Sequence, residues 1–394
     1  MRYLLLLLPF MGFAQEALTL EDCYLLARDH YPTIQKLDLI AKSEDYTLAN
    51  ANKAYLPQVS ITGQATYQSE TIDFSESIGR LPLPITLPTV SKDQYKVVGE
   101  VSQLLYNGGA TRAQKQLIKA QSAVQAQAVE TQLYTLKQRV SNLYFGVLLI
   151  DAQLSQNQLN VETVQSQLEK AEVALKNGTT LPSNVAELKA ELVRLAMQRT
   201  EYEATKAMYL QMLSTFIGKS LPSDTTLPRP KPTTLGSTNH RPELKGFDLQ
   251  QSVLDIQKRQ LTSEYLPKIG LFFQGVYGRP TLNIVKNEFD FYYITGVRLQ
   301  WNLSPLYSLS NRKQLLQLQG ESLSADRKAF LMSTELDITQ QQTQISKLQR
   351  LMEQDQESVA LRHSVAQAAQ VQLDNGIITT HEYLQKVNAE NLAK

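Results

Sequence analysis

The sequence predicts a mainly α fold with a transmembrane β part: a duplicated strand pair set among long coiled-coil helices. Three observations carry this. Two distant segments repeat each other, one stretch holds an unbroken 3,4 hydrophobic seam, and four short segments alternate strictly between apolar and polar residues. Fixed-spacing self-similarity decides architecture before any local reading. "AYLPQVSITGQATY" at 54–67 returns as "EYLPKIGLFFQGVY" at 264–277, an offset of 210. His30, Pro32, Asp38 and Leu39 fall on His240, Pro242, Asp248 and Leu249 at the same offset, so two equivalent halves build one object.

Taken in order, residues 1–14 read as a signal peptide, with Arg2, an apolar run, and small residues Gly12 and Ala14 ahead of a cleavage site. The run is too short to span a bilayer, which takes about 20 residues. The first repeat occupies 18–218. Its first strand, 58–68, sets Val59, Ile61, Gly63, Ala65 and Tyr67 on one face, with Gln58, Ser60, Thr62, Gln64 and Thr66 on the other. Its second, 95–105, alternates less cleanly, and the Pro-rich insert 79–88 lies between them.

Between Gly109 and Gly178 there is no proline, and only Gly146 interrupts. Val129, Leu133, Leu136, Val140, Leu143, Val147, Ile150 and Leu154 continue through Asn157 to Leu175 at coiled-coil spacing. A helix from about Ala110 to Lys176 follows, ended by Asn177-Gly178 as a left-handed cap. Heptad positions resume at Val185, Leu188, Leu192 and Leu195 and run through Arg199, Tyr202, Lys206 and Tyr209 to Leu213 and Phe216, giving an antiparallel hairpin.

Residues 219–240, dense in proline and polar residues, read as the linker. The second repeat, 241–394, carries strands at about 268–277 and 291–303. Its long helix, about 311–374, has a weaker seam (Ile338, Ile345, Leu348, Met352, Val359) and ends at Asn375-Gly376, now 198 residues from the first tip. The first hairpin's returning helix runs to Gly218, so about 22 residues of the final helix lack a counterpart; the expectation is a truncated helix and a weaker assembly.

The strands suit a bilayer. Each is about 10 residues long, and the aromatics Tyr67, Tyr277, Phe291, Tyr293 and Trp301 stand near strand ends, where interfacial girdles form. Four strands cannot close a barrel, for which about 8 are needed, and hydrocarbon does not tolerate an open edge. Strands in lipid therefore predict an oligomer.

Other classes find little support. Lys+Arg 39 against Asp+Glu 38 leaves a net charge of +1 with no basic stripe, so nucleic acid is not indicated. A single cysteine, Cys23, permits no internal disulfide. The histidines His30, His240, His363 and His381 are isolated, no nucleophile or phosphate-loop motif is present, and the expectation is no enzyme, metal or cofactor. His30 and His240, beside Pro32 and Pro242, read as helix-start residues.

"LTLEDCYLLARDHYP" (18–32), the two Tyr-Leu-Pro strand openings, "VSQLLYNGGATRAQ" (101–114) and the twin Asn-Gly tips together resemble the TolC-type outer-membrane efflux proteins, over essentially the whole chain from residue 18. The resemblance implies a homotrimer: three protomers give four strands each to one twelve-stranded barrel, continued by a periplasmic α-helical barrel. It implies an outer-membrane exit duct for efflux or type I secretion in a Gram-negative bacterium, with outer-membrane lipid around the strands. The partners would be a periplasmic adaptor (membrane fusion) protein and an inner-membrane transporter. By the same resemblance the adaptor docks at Asn177, Gly178 and Thr179 and at Asn375, Gly376 and Ile377.

Glu382, six residues beyond Gly376, matches the family's aperture acid, while the second acid of the pattern is Gln385 here. Ser183 and Asn184 replace the polar-acidic pair of the first tip, and Ile378 replaces its arginine partner. The family's closing salt links are thus expected to be absent, leaving hydrogen bonds and packing. The alternative from a different class is a periplasmic or surface coiled-coil structural protein that never enters the membrane.

Overall fold

The computed structural model describes residues 18–72, 90–232, 239–283 and 287–393. The signal peptide, the Pro-rich insert 79–88 and residues 233–238 of the linker lie outside them. The elements are α1 (Leu20–His30), α2 (Gln35–Asn52), β1 (Gln58–Tyr67), β2 (Asp93–Tyr106), α3 (Ala110–Lys176), α4 (Pro182–Ile217), α5 (Pro242–Glu264), β3 (Lys268–Arg279), β4 (Asp290–Gln300), α6 (Pro305–Asp374) and α7 (Thr380–Ala393). The described residues fall into two compact units, one holding the sheet (36–72, 90–128, 241–283 and 287–328), the other mainly helical (18–35, 129–232, 239–240 and 329–393).

In the sheet unit the order is β1-β2-β3-β4, every pair antiparallel, so the two repeats join through β2 and β3. β1 and β3, the first strand of each repeat, are each entered through a proline that cannot donate to a helix. After the 3-10 turn Lys53–Tyr55, Leu56 N donates to Lys53 O at 3.0 Å, and Pro57 releases the chain into β1. Pro267 does the same before β3, where Glu264, the last residue of α5, receives both arms of the Arg312 guanidinium from α6. A register shift opposite Ile269, between Leu104 and Tyr106, bends the base of β2.

In the helical unit the seam packs as spaced. Val140 and Val147 are fully buried, Val129, Leu133, Leu136, Leu143 and Ile150 nearly so; Leu210, Leu213 and Ile217 of α4 join Leu136, Val140, Leu143 and Val147 in one cluster, and Leu188 and Leu195 pack with Val164 in a second. Each such aliphatic side chain contributes about 1.5–3 kcal/mol on burial. α1 starts with a capping box between Thr19 and Asp22 and buries Cys23 and Ala27 in the same cluster. Tyr144, at its centre, donates to Pro228 O at 2.7 Å and lies 3.1 Å from Leu18 O, tying the post-α4 segment to the core. Asn157, the one polar seam residue, donates to Leu195 O at 3.1 Å.

Several sequence expectations are corrected. In α4, Arg199 is exposed and pairs with Glu203 at 2.8 Å, because the buried stripe runs through Leu210 and Ile217, with Tyr209 and Phe216 half-buried at its edge. Lys206 does enter the interface, its charge held by Asp151 at 2.7 Å. α6 begins at Pro305, six residues before its predicted start, and β4 ends at Gln300, before Trp301 and Leu303. The weaker α6 seam is not buried within the chain: α7 meets the C-terminal part of α6, around Ala369 and through Glu390 to His363 at 2.9 Å, leaving Ile338, Ile345, Leu348 and Met352 exposed. His30 ends α1 instead of starting a helix, and its ring fills the space a side chain on Gly218, the left-handed cap of α4 (φ 68°), would need.

Candidate channel wall and tip site

Because strand side chains alternate, the register places every apolar alternation on one face. Gly63, Val97, Tyr277 and Phe291 form one row, Ile61, Gly99, Gly275 and Tyr293 the next, and Val59, Val101, Phe273 and Thr295 the third. Val59, Ile61, Val297 and Leu299 are 71%, 78%, 68% and 64% exposed, against the few per cent of the helical core. A contiguous apolar band of this size on a folded sheet marks contact with lipid or another chain.

Aromatics flank the band at both ends. At the loop end, Tyr67, Tyr277 and Phe291 stand as the sequence placed them, joined by Tyr95 and Phe289; Tyr277 stacks on Phe289 at 6.0 Å, and the Arg279 guanidinium lies 5.2 Å over that ring. At the helix end Trp301 donates to Tyr265 O at 2.9 Å, with Tyr106 and Tyr307 also exposed. Tyr293 lies a row further in, stacked on Phe273 at 5.8 Å. The two girdles with apolar residues between are the pattern of a lipid-facing strand surface.

The other face is polar and cross-linked. Glu100 of β2 accepts from Gln274 of β3 at 2.7 Å and from Arg298 of β4 at 2.9 Å, and the Arg298 guanidinium lies 4.5 Å over the Phe272 ring. On this face β1 is wholly polar, whereas β3 presents Phe272 and Val276, the latter 3% exposed, so the two ascending strands differ as their sequences indicate.

The tips lie in the helical unit, and their cap geometry repeats. Gly178 (φ 72°) donates to Leu175 O and Thr179 to Ala174 O; Gly376 (φ 68°) donates to Leu373 O and Ile377 to Gln372 O. This is the double hydrogen bond of a Schellman cap. Between them lies a cleft of about 690 Å³, whose walls include Thr179, Leu181, Asn375, Ile377 and Ile378. Cross-repeat links hold it: Gln167 and Gln370 exchange amide hydrogen bonds, Lys170 approaches Asp374 at 3.7 Å, and His381 Nδ1 meets Glu187 Oε1 at 2.8 Å. Within the first hairpin the Lys189 ammonium, 2.8 Å from Glu172, holds that carboxyl below its usual range.

The predicted aperture residues occupy distinct local roles. Asn184 donates to Thr180 Oγ1 at 2.9 Å, Ser183 is exposed, Gln385 contacts His381 Nε2 at 2.9 Å, and Ile378 packs on the apolar cluster of Val164, Leu188 and Tyr383. Glu382 is exposed and completes a capping box with Thr379, whose hydrogen bonds lower its carboxyl pKa. The Thr379-Thr380-His381-Glu382 spacing announces such a box in the sequence. Among the described residues no three metal-ligating side chains gather, and no helix is long and apolar enough to cross a membrane.

A four-stranded sheet with a girdled apolar face, joined to long helical hairpins, defines the class: an outer-membrane β-barrel channel with a periplasmic helical extension. Residues 24–218 match the outer membrane efflux protein family. The fold matches VceC from Vibrio cholerae (14% identity, 95% of this chain and 90% of that chain, TM-score 0.63), the outer-membrane channel OprN (14%, 95% and 84%, 0.65) and the open state of MtrE from Neisseria gonorrhoeae (11%, 95% and 83%, 0.63). A search of the curated proteins gives no match. Residues 24–218 belong to the outer membrane efflux protein family, and the chain is an outer-membrane exit duct of an efflux system.

Proposed function

We propose that three copies of this chain close one twelve-stranded antiparallel barrel, with the apolar face in lipid and the Glu100–Arg298 face lining the lumen. The observation that carries it is the open sheet. β1 and β4 are both edge strands, and because they run in opposite directions, β1 of one copy can pair antiparallel with β4 of the next. Hydrocarbon forbids unpaired edges, so closure by copies is required, and three is the smallest number whose strands exceed the roughly 8 of the smallest barrels with room for cargo. The girdled apolar band argues against a stalk that stays in water.

In this reading the helices continue the lumen into the periplasm, and the tips around Asn177, Gly178, Thr179, Asn375, Gly376 and Ile377 receive a periplasmic adaptor that couples the duct to an inner-membrane transporter. Glu382, with Gln385, Ser183 and Asn184 nearby, rings the aperture, and a threefold carboxylate ring favours cations. Proximity of the two helical tips within one chain supports this, since Gln167–Gln370, Lys170–Asp374 and Glu187–His381 link them directly. The test is a cysteine pair at Ile61 on β1 and Tyr293 on β4. Oxidation should give covalent trimers from outer-membrane fractions, migrating as trimers until heated; a cross-linked monomer, or a soluble periplasmic chain, overturns the proposal.

A further inference from the structure

The helix end of the inner wall carries a cavity of about 310 Å³ within the sheet unit. Gly270 leaves its floor open, in a strand position that pairs with Leu104 on one side and Arg298 on the other. Around it stand Lys268, Phe272, Arg298, Ser102 and Gln300, all on the face opposite the apolar band. No carboxylate lines the cavity, although two cationic side chains do. Arg298 gives one arm to Glu100, and the nearby Glu264 is gripped by both arms of Arg312, so the Lys268 ammonium is left as the surplus charge. Arg298 lying 4.5 Å over Phe272 fixes both the guanidinium plane and the ring.

This chemistry is specific. An ammonium and a guanidinium edge beside an immobilised phenyl ring suit a ligand with a carboxylate at one end and a flat apolar body at the other. The cavity is at the lower end of the range for small-molecule sites. On a wall that cargo must leave again, a site of this size gives brief binding, not retention.

We propose that this pocket, once per copy, is a transit site for aryl carboxylates and similar amphipathic organic anions moving along the barrel wall. The inference rests on the reading that this face lines the lumen. Single channels in planar bilayers test it with cinnamate as the probe, and with acetate and phenethylammonium as controls lacking the ring or carrying the opposite charge. Cinnamate should interrupt the current transiently, and the controls should not. Lys268→Gln and Phe272→Ser should each weaken the block about tenfold, the loss of one charge-assisted or apolar contact, while both variants still form open channels in plain salt. Channels that open normally but ignore cinnamate, or that are blocked equally by the ammonium probe or in both variants, overturn the transit site and leave the duct standing. If no channels form at all, the lumen reading fails and this inference falls with it.

Discussion

Glu382 and Thr379 hold each other. The Glu382 carboxylate accepts from the Thr379 backbone nitrogen at 2.9 Å, and the Thr379 hydroxyl accepts from the Glu382 nitrogen at 3.2 Å. One residue thus both caps α7 and is offered as the aperture charge, and two substitutions separate the roles. Glu382→Gln preserves a capping side chain, so thermal stability should hold while cation selectivity in bilayers falls. Thr379→Ala should lower stability by about 1 kcal/mol, the usual worth of such a cap, with selectivity retained.

The same pair sets a pH dependence. The Glu382 carboxyl sits below its usual 4.5 because the hydrogen bonds from Thr379 favour the charged form. A depressed pKa contributes stability that is complete above 4.5 and is lost as pH falls through the lower folded value. Amide exchange at the start of α7 should therefore be constant near neutrality and accelerate only on the acid side of 4.5; acceleration already at neutral pH would detach the cap from Glu382.

Tyr144 and Tyr383 titrate in the opposite sense. Burial pushes both phenols up to about 12, so each contributes stability that is present below the ordinary value of 10 and is lost as pH rises towards 12. Ultraviolet titration should show two tyrosines that ionise late, together with loss of tertiary signal. Tyr144→Phe should cost about 1–3 kcal/mol in chemical denaturation, because the carbonyls of Leu18 and Pro228 lose their partner.

The two faces of the sheet should answer charge differently. Val297→Lys places an ammonium in the apolar band and should cost about 2–4 kcal/mol of folding into lipid vesicles, the midplane penalty for a lysine. Thr62→Lys, on the polar face of β1, should fold like the parent and alter conductance instead. Equal penalties would mean that neither face is in lipid.

At the tips, Gly178→Ala and Gly376→Ala meet no neighbouring atom within 4 Å, so their cost is that of a left-handed backbone alone, about 1–2 kcal/mol each by thermal melting.

Much of this fold can be read from the chain because its elements are long and periodic. α3 spans Ala110–Lys176 as its seam and its Asn-Gly cap predict, and the strand openings follow their prolines. What the sequence leaves out arises from register. Glu100 and Arg298 lie 198 residues apart and meet only because β2, β3 and β4 pair as they do, and no local pattern marks either as a partner. The α6 seam is legible as a pattern but not as packing, since burial depends on what lies opposite, and α7 meets α6 around His363 and Ala369, beyond the seam from Ile338 to Met352. Aperture positions carried over from the resemblance say nothing of the capping box that Glu382 also serves.

The exposed band of β1 to β4 also has a consequence for biogenesis. A single copy crossing the periplasm would carry two unpaired strand edges and a sheet face of Val, Ile, Phe and Tyr through water, the combination that drives edge-to-edge aggregation. If three copies close one barrel as proposed, partner copies and lipid have to arrive together, and productive insertion becomes steeply dependent on copy number and on whatever escort shields the sheet in transit.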